Sequence, residues 1–123
     1  MHLLHVSIIV SDLSKSEEFY GNILGLQRDA RPDLGFDGLF YKLGDGQQLH
    51  VMCIPNPYQT CKRPEHGGRD RHIALAIDDL REACDKLDQA QISYTRSRSG
   101  RAALFCYDDD NNAIELCETP TLG

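Results

Sequence analysis

Residues 5–13 read HVSIIVSDL, and residues 72–80 read HIALAIDDL. Each segment begins with histidine, continues through the aliphatic residues typical of a strand, and reaches Asp-Leu seven and eight positions later. A second pair aligns in the same way, because LFYKLGDGQQLHVM from Leu39 matches LFCYDDDNNAIELC from Leu104. Both pairs are separated by about 65 residues, which is too long for a solenoid repeat and indicates a duplicated supersecondary module.

Each half of the chain predicts the order strand, helix and further strands. Asp12 and Asp79 follow the first strands as helix N-caps, and Gly25 is a suitable C-terminal stop for the first helix. The apolar residues at helical spacing are Phe19, Tyr20, Ile23 and Leu24 in the first half, and Leu80, Ala83, Cys84 and Leu87 in the second. We therefore expect one domain, residues 1–123, made of two βαβββ modules (about 1–56 and 70–119) that are linked by residues 57–69.

The composition excludes several classes of protein. A formal net charge of −6 argues against nucleic-acid binding, which calls for a clustered basic face. No apolar run approaches the roughly 18 residues of a membrane helix, and the start MHLLHVSIIV lacks the basic residues of a signal peptide, so we expect a cytoplasmic protein. The five cysteines include no CxxC pair, so we expect mostly small core residues rather than a zinc ribbon.

The repeat also places ligand-type side chains at corresponding positions. Alternate residues of a strand face opposite sides of a sheet, so each of four strands has one aliphatic face and one face with a single His or Glu. These residues are His5, His50, His72 and Glu115. If the two modules face each other, three imidazoles and one carboxylate converge, a donor set that suits one divalent metal ion. His2 and His66 have no repeat partner and are interpreted as surface residues, with His66 near the mouth of the site.

These residues carry a resemblance to a known family. The segments HVSIIVSDLSKSEEFYGNILGL, HIALAIDDL and LFCYDDDNNAIELCE resemble the vicinal oxygen chelate superfamily, which includes glyoxalase I, fosfomycin resistance transferases, extradiol dioxygenases and bleomycin resistance proteins. Asp109 and Asn111 stand where the superfamily's closing motif usually has Pro and Gly. The resemblance implies an α+β fold in which tandem βαβββ modules form a curved, cup-like mixed sheet with helices outside. It also implies metal ligands at His5, His50, His72 and Glu115.

The resemblance is greatest to bacterial glyoxalase I, which is similar in size and in three of the four ligands. It implies a lactoylglutathione lyase type of enzyme whose substrate, such as a glutathione adduct, binds the metal through adjacent oxygens, with Glu115 as the catalytic base. Zn²⁺ or Ni²⁺ is favoured, and Fe²⁺ or Mn²⁺ is compatible. Glyoxalase I usually has Glu where this chain has His50, which removes one candidate base. Among the arginines, Arg98 and Arg101 of the run TRSRSGR are the candidates for binding an anionic substrate.

Other members of the superfamily remain alternatives. An extradiol dioxygenase would use His5, His72 and Glu115 with iron, but those enzymes are generally twice this length. A fosfomycin thiol transferase shares the same three ligands and lacks one at the His50 position. A bleomycin-type drug-binding protein generally lacks the ligands altogether. Closed two-fold dimers are the commonest assemblies, and the superfamily resemblance also favours a homodimer.

Overall fold

The computed structural model describes residues 1–119, which contain eight strands and two α-helices. In chain order these are β1 (His5–Val10), α1 (Leu13–Ser16), β2 (Gln27–Asp29), β3 (Gly38–Lys42), β4 (Gln48–Cys53), β5 (His72–Ile77), α2 (Leu80–Gln89), β6 (Tyr94–Arg96), β7 (Ala103–Tyr107) and β8 (Ala113–Glu118). A π-helical segment, Glu17–Ile23, continues α1. The chain divides into two compact units, the first ending at Cys61 and the second beginning at Lys62.

The two units have the same topology. The first contains a four-stranded sheet in the order β1-β4-β3-β2, and the second contains one in the order β5-β8-β7-β6. In each sheet the first and last strands of the unit pair in parallel, and the remaining pairs are antiparallel. The predicted α+β fold with tandem βαβββ modules is confirmed.

The register of the strands repeats as well. In the first sheet a row of paired residues runs across all four strands, and it consists of Ser7, His50, Phe40 and Asp29. The corresponding row in the second sheet consists of Ala74, Glu115, Phe105 and Thr95. The His50 and Glu115 positions are therefore equivalent in three dimensions, as the alignment of the two halves predicts.

The aliphatic strand faces form the cores, since alternate residues such as Ile8 and Val10, or Ile114 and Leu116, are buried. The two helices begin at their predicted caps, because Asp12 and Asp79 each accept a hydrogen bond from a backbone N–H three residues on, both at 3.1 Å. On α2 the residues Leu80, Cys84 and Leu87 are buried.

Three sequence-based expectations need correction. The first helix is largely π-helical rather than α-helical, because the Leu24 N–H reaches back five residues to the Phe19 carbonyl at 2.9 Å. Only two of the five cysteines, Cys84 and Cys106, are buried; Cys61 lies exposed after the first sheet. His66 is 9% exposed and therefore buried, not a surface residue.

Within residues 1–119, no helix combines the length and apolar character needed to cross a membrane. The cytoplasmic location stays a prediction.

Candidate functional site

In the first unit the predicted ligands lie in a stack of three rings on one face of the sheet. The Phe40 and His50 rings are parallel with centroids 3.6 Å apart, and His5 stacks on His50 at 4.0 Å. The register explains the stack, because Phe40 pairs with His50 and β1 runs beside β4. The Arg31 guanidinium lies 5.8 Å from the Phe40 centroid. The structure therefore brings His5 and His50 together, as the strand alternation predicts.

Hydrogen bonds determine which nitrogen of His50 carries the proton. The Gln48 amide donates from Nε2 to Oδ2 of Asp29 at 2.8 Å, so its Oε1 is left to accept. That oxygen lies 2.8 Å from His50 Nε2, which therefore donates and leaves Nδ1 with a free lone pair. Burial, followed by the charges of His5 and Arg31, lowers the pKa of His50. His50 is therefore neutral near pH 7, the state in which imidazole binds a metal.

In the second unit the other two predicted ligands are also in contact. His72 donates from Nδ1 to the Asp70 backbone carbonyl at 2.8 Å, which leaves Nε2 as the unprotonated nitrogen of the neutral ring. Nε2 lies 3.2 Å from Oε1 of Glu115, a residue that is only 2% exposed. A nitrogen lone pair and a carboxylate oxygen at this distance repel each other unless a proton or a metal cation lies between them.

The second oxygen of Glu115 has a partner of its own. Arg101 donates from Nη2 to Glu115 Oε2 at 2.9 Å, and its guanidinium end remains accessible because the side chain is 59% exposed. Arg98, the other arginine predicted to bind substrate, is exposed and makes no side-chain polar contact within residues 1–119. The two arginines thus differ, because only Arg101 acts on a predicted site residue.

These residues fit a divalent metal in donor type and in protonation. His72 Nε2 and Glu115 Oε1 are two bare donor atoms side by side, and an Nδ1–H bonded to a backbone carbonyl is the usual support of a metal-binding histidine. His5 and His50 present imidazoles, but stacked rings hold their lone pairs in nearly parallel planes about 4.0 Å apart, so binding one ion requires at least one ring to turn. Accordingly, no cluster of three or more His, Cys, Asp or Glu side chains in residues 1–119 is already arranged around a metal position.

Sequence reasoning missed several residues beside the predicted ligands. Phe105 lies beside Glu115 in the register, and its ring contacts His72 edge-on at 5.2 Å. His66 contacts the same ring at 4.9 Å. The alignment of Phe40 with Phe105 was a usable signal, because strand alternation places both on the ligand face. His66 gave no such signal, since its place depends on the path of an irregular segment.

Comparison with known proteins places these features in a family. Residues 2–116 match the model of the Glyoxalase/Bleomycin resistance protein/Dioxygenase superfamily. The chain is 36% identical over 126 residues to the lactoylglutathione lyase of Neisseria meningitidis serogroup A, covering 96% of this chain and 91% of that one. It is 32% identical over 132 residues to that of Escherichia coli O157:H7, covering 100% and 96%. The fosfomycin resistance protein FosX from Listeria monocytogenes has a similar fold, with a TM-score of 0.73, 21% identity and coverage of 98% and 95%.

Proposed function

Because this chain belongs to the Glyoxalase/Bleomycin resistance protein/Dioxygenase superfamily, we propose that it is a metal-dependent enzyme of the lactoylglutathione lyase type. The observation that carries the proposal is the contact between His72 Nε2 and the buried Glu115 Oε1, two donor atoms placed together where a proton or a metal cation must lie between them. Lactoylglutathione lyases are among the relatives at 32% and 36% identity, which favours this reaction over others of the superfamily.

The proposed metal ligands are His5, His50, His72 and Glu115, with Zn²⁺ or Ni²⁺ favoured and Fe²⁺ or Mn²⁺ compatible. A divalent ion bound there supplies a Lewis acid that stabilises negative charge on a substrate with two adjacent oxygens. The protein's part is to present each imidazole with one bare nitrogen, and the hydrogen bonds from His72 to Asp70 and from His50 to Gln48 fix which nitrogen of each ring that is.

Glu115 is the proposed base. In the hemithioacetal of methylglyoxal and glutathione, it takes the proton from the carbon that carries sulfur and hydroxyl, and returns it to the neighbouring carbon. The hydroxyl proton passes to the oxygen of that neighbouring carbon, and the product is a thioester with a new alcohol. Glu115 is buried beside Phe105, so water is largely excluded from the carboxylate. Arg101 holds the carboxylate through Oε2, so Oε1, which contacts His72 Nε2, is the oxygen that would take the proton.

Anionic ends of the substrate require cations, and Arg98 and Arg101 are the proposed partners. Both lie on the turn between β6 and β7, and both side chains are exposed. Arg101 reaches the site itself, so a glutathione carboxylate near this turn would pair with a guanidinium already held in place by Glu115.

The test is a turnover assay with protein stripped of metal and reloaded separately with Zn²⁺, Ni²⁺, Mn²⁺ and Fe²⁺. We expect thioester formation from methylglyoxal and glutathione with at least one metal, and a loss of about 100-fold or more in Glu115→Gln. Glu82→Gln, which changes an exposed carboxylate on α2, serves as the matched control. Turnover of fosfomycin with a thiol, or of a catechol with oxygen, in place of the hemithioacetal would reject this proposal in favour of the other enzyme classes.

A further inference from the structure

A segment before β5, residues 62–71, packs on the sheet of the second unit; we call it the strap. Arg63 forms an ion pair with Asp70 across the strap, with Nε 2.8 Å from Oδ2. The Tyr107 hydroxyl of β7 donates to the Pro64 carbonyl at 2.6 Å and lies 3.2 Å from the Asp70 carboxylate. These contacts tie both ends of the strap to each other and to β7.

Two glycines let the middle of the strap approach the ligand face closely. A Cβ atom at Gly67 would lie 3.1 Å from Cβ of Phe105, and one at Gly68 would lie 2.9 Å from His66 Nε2 and 3.2 Å from Cζ of Phe105. A side chain at Gly68 would therefore displace the His66 ring. The strap thus holds the imidazole of His66 directly on the face that carries Glu115.

The position of His66 follows from its contacts. Its Nδ1 lies 2.6 Å from the Thr95 hydroxyl, and its ring packs edge-to-face on Phe105 at 4.9 Å. Thr95, Phe105 and Glu115 form one row of paired residues, so their side chains share a face. With strands about 4.8 Å apart, the Thr95 and Glu115 backbones are separated by about 10 Å, and Phe105 lies between them, so a substrate that meets both His66 and Glu115 would bind against the Phe105 ring.

The contacts with Thr95 and Phe105 leave one ring nitrogen of His66 available for proton transfer. The ring is buried, yet no group in residues 1–119 forms a hydrogen bond with its Nε2. The partner of Nδ1 is a hydroxyl, which can donate to a bare Nδ1 or accept from a protonated one. Either tautomer is therefore supported, and Nε2 is able both to take up and to give back a proton, as a general acid–base residue must.

We propose that His66 is a second proton-transferring residue of the same site, acting on substrate oxygen while Glu115 acts on carbon. The inference rests on the proposed function. Nε2 takes the proton from the hydroxyl of the hemithioacetal carbon and delivers it to the oxygen of the neighbouring carbon. Glu115 moves the carbon-bound proton in the same direction, and both residues end in the state in which they began. His66 thereby supplies the base that is missing because position 50 carries histidine instead of glutamate.

The first test compares His66→Asn with wild type, using metal-loaded protein. The asparagine side chain retains a polar atom for Thr95 but cannot exchange a proton. We expect kcat to fall by about 100-fold or more, with metal affinity unchanged. In His66→Ala, added imidazole should restore part of the lost kcat. His2→Asn, which alters the other histidine without a repeat partner, is the matched control. A kcat within about threefold of wild type in His66→Asn would overturn the proposal.

The second test does not depend on turnover and separates this inference from the proposed function. Acetohydroxamate is a small chelator with adjacent oxygens, and its binding to the Zn²⁺-loaded protein can be followed by titration and by ¹⁵N NMR of the imidazoles. We expect the His66 Nε2 resonance to shift and His66→Asn to weaken binding by about tenfold or more. An unmoved resonance together with equal affinity would assign His66 a purely structural role. If the protein does not turn over the hemithioacetal but the His66 resonance shifts when acetohydroxamate binds, only the lyase reaction is rejected.

Discussion

The Nε2 atom of His72 lies 3.2 Å from Oε1 of Glu115, across the parallel pair formed by β5 and β8. Because the other nitrogen of His72 donates to a backbone carbonyl, both facing atoms carry lone pairs when the imidazole is neutral. A divalent metal ion between these two atoms would accept both lone pairs, which is why this pair is central to the proposed metal site.

The predicted metal stoichiometry is one divalent ion per chain. His5→Ala and Glu115→Ala should each weaken binding by more than about 100-fold, because losing a mere supporting residue already costs 10- to 100-fold. Isothermal titration measures both variants, with the exposed His2→Ala as control. Undiminished binding in both variants would show that the metal ion binds elsewhere.

Replacing His50 with Glu tests the fourth ligand. This change restores the set usual in glyoxalase I and adds a second carboxylate, so we expect altered metal preference or increased isomerase activity. Metal binding should also disturb the stack of His5 on His50, which NMR of the ring protons detects through lost ring-current shifts. If His50→Glu and His50→Gln both behave as wild type, His50 is not a ligand and the site has three.

Two successive hydrogen bonds, from His50 to Gln48 and from Gln48 to Asp29, should support metal binding indirectly. Gln48→Leu removes the acceptor that keeps the proton on His50 Nε2, so Nδ1 is no longer reserved for the metal. We expect a 10- to 100-fold loss of affinity, the usual effect of removing a supporting hydrogen bond. Gln47→Leu is the matched control, and equal affinity in the two variants would contradict the role of Gln48.

The strap should be sensitive to acid through Asp70. Burial opposes ionisation of Asp70, but hydrogen bonds from Arg63 and Tyr107 outweigh it and hold the pKa of this carboxyl below its ordinary value. The stabilisation is therefore complete above the ordinary aspartate pKa of about 3.9 and is lost as the pH falls through the lower folded value.

Asp70→Asn should consequently lower the free energy of unfolding by about 1.5–3 kcal/mol at pH 7, the range for hydrogen bonds to a charged group. The difference from wild type should shrink below about pH 4. Urea unfolding at pH 7 and pH 3 measures both values, with the exposed Asp85→Asn as control. A stability difference between wild type and Asp70→Asn that is larger at pH 3 than at pH 7 would contradict the prediction.

A homodimer whose stability depends on metal is the remaining prediction. β1 and β5 are edge strands of their sheets, and the exposed Leu3 and Leu4 lead into β1, a combination that a second copy commonly covers. Metal at about 100 times its Kd should add roughly 2.7 kcal/mol of stability, so a chelator should lower the melting temperature by several degrees. Light scattering that gives 13.8 kDa in the presence of metal would exclude the dimer.

The sequence alone determined the α+β modules and the positions of His5, His50, His72 and Glu115 within them. Strand alternation and duplication can be read directly from the sequence. A register shift of one residue would bury the polar face of a strand, so the alternating pattern also specifies how the strands pair. It also indicated the caps Asp12 and Asp79, because capping needs only neighbouring residues.

Only the tertiary structure decided the position of His66 and the protonation of His50 and His72. His66 lies six residues before β5 in an irregular segment, and its burial depends on an ion pair, a tyrosine and two glycines that no periodicity connects. The protonated nitrogen of each ligand histidine depends on a hydrogen-bond partner whose orientation is set by the folded backbone. Such contacts arise from packing in three dimensions, which a one-dimensional pattern of residue types does not specify.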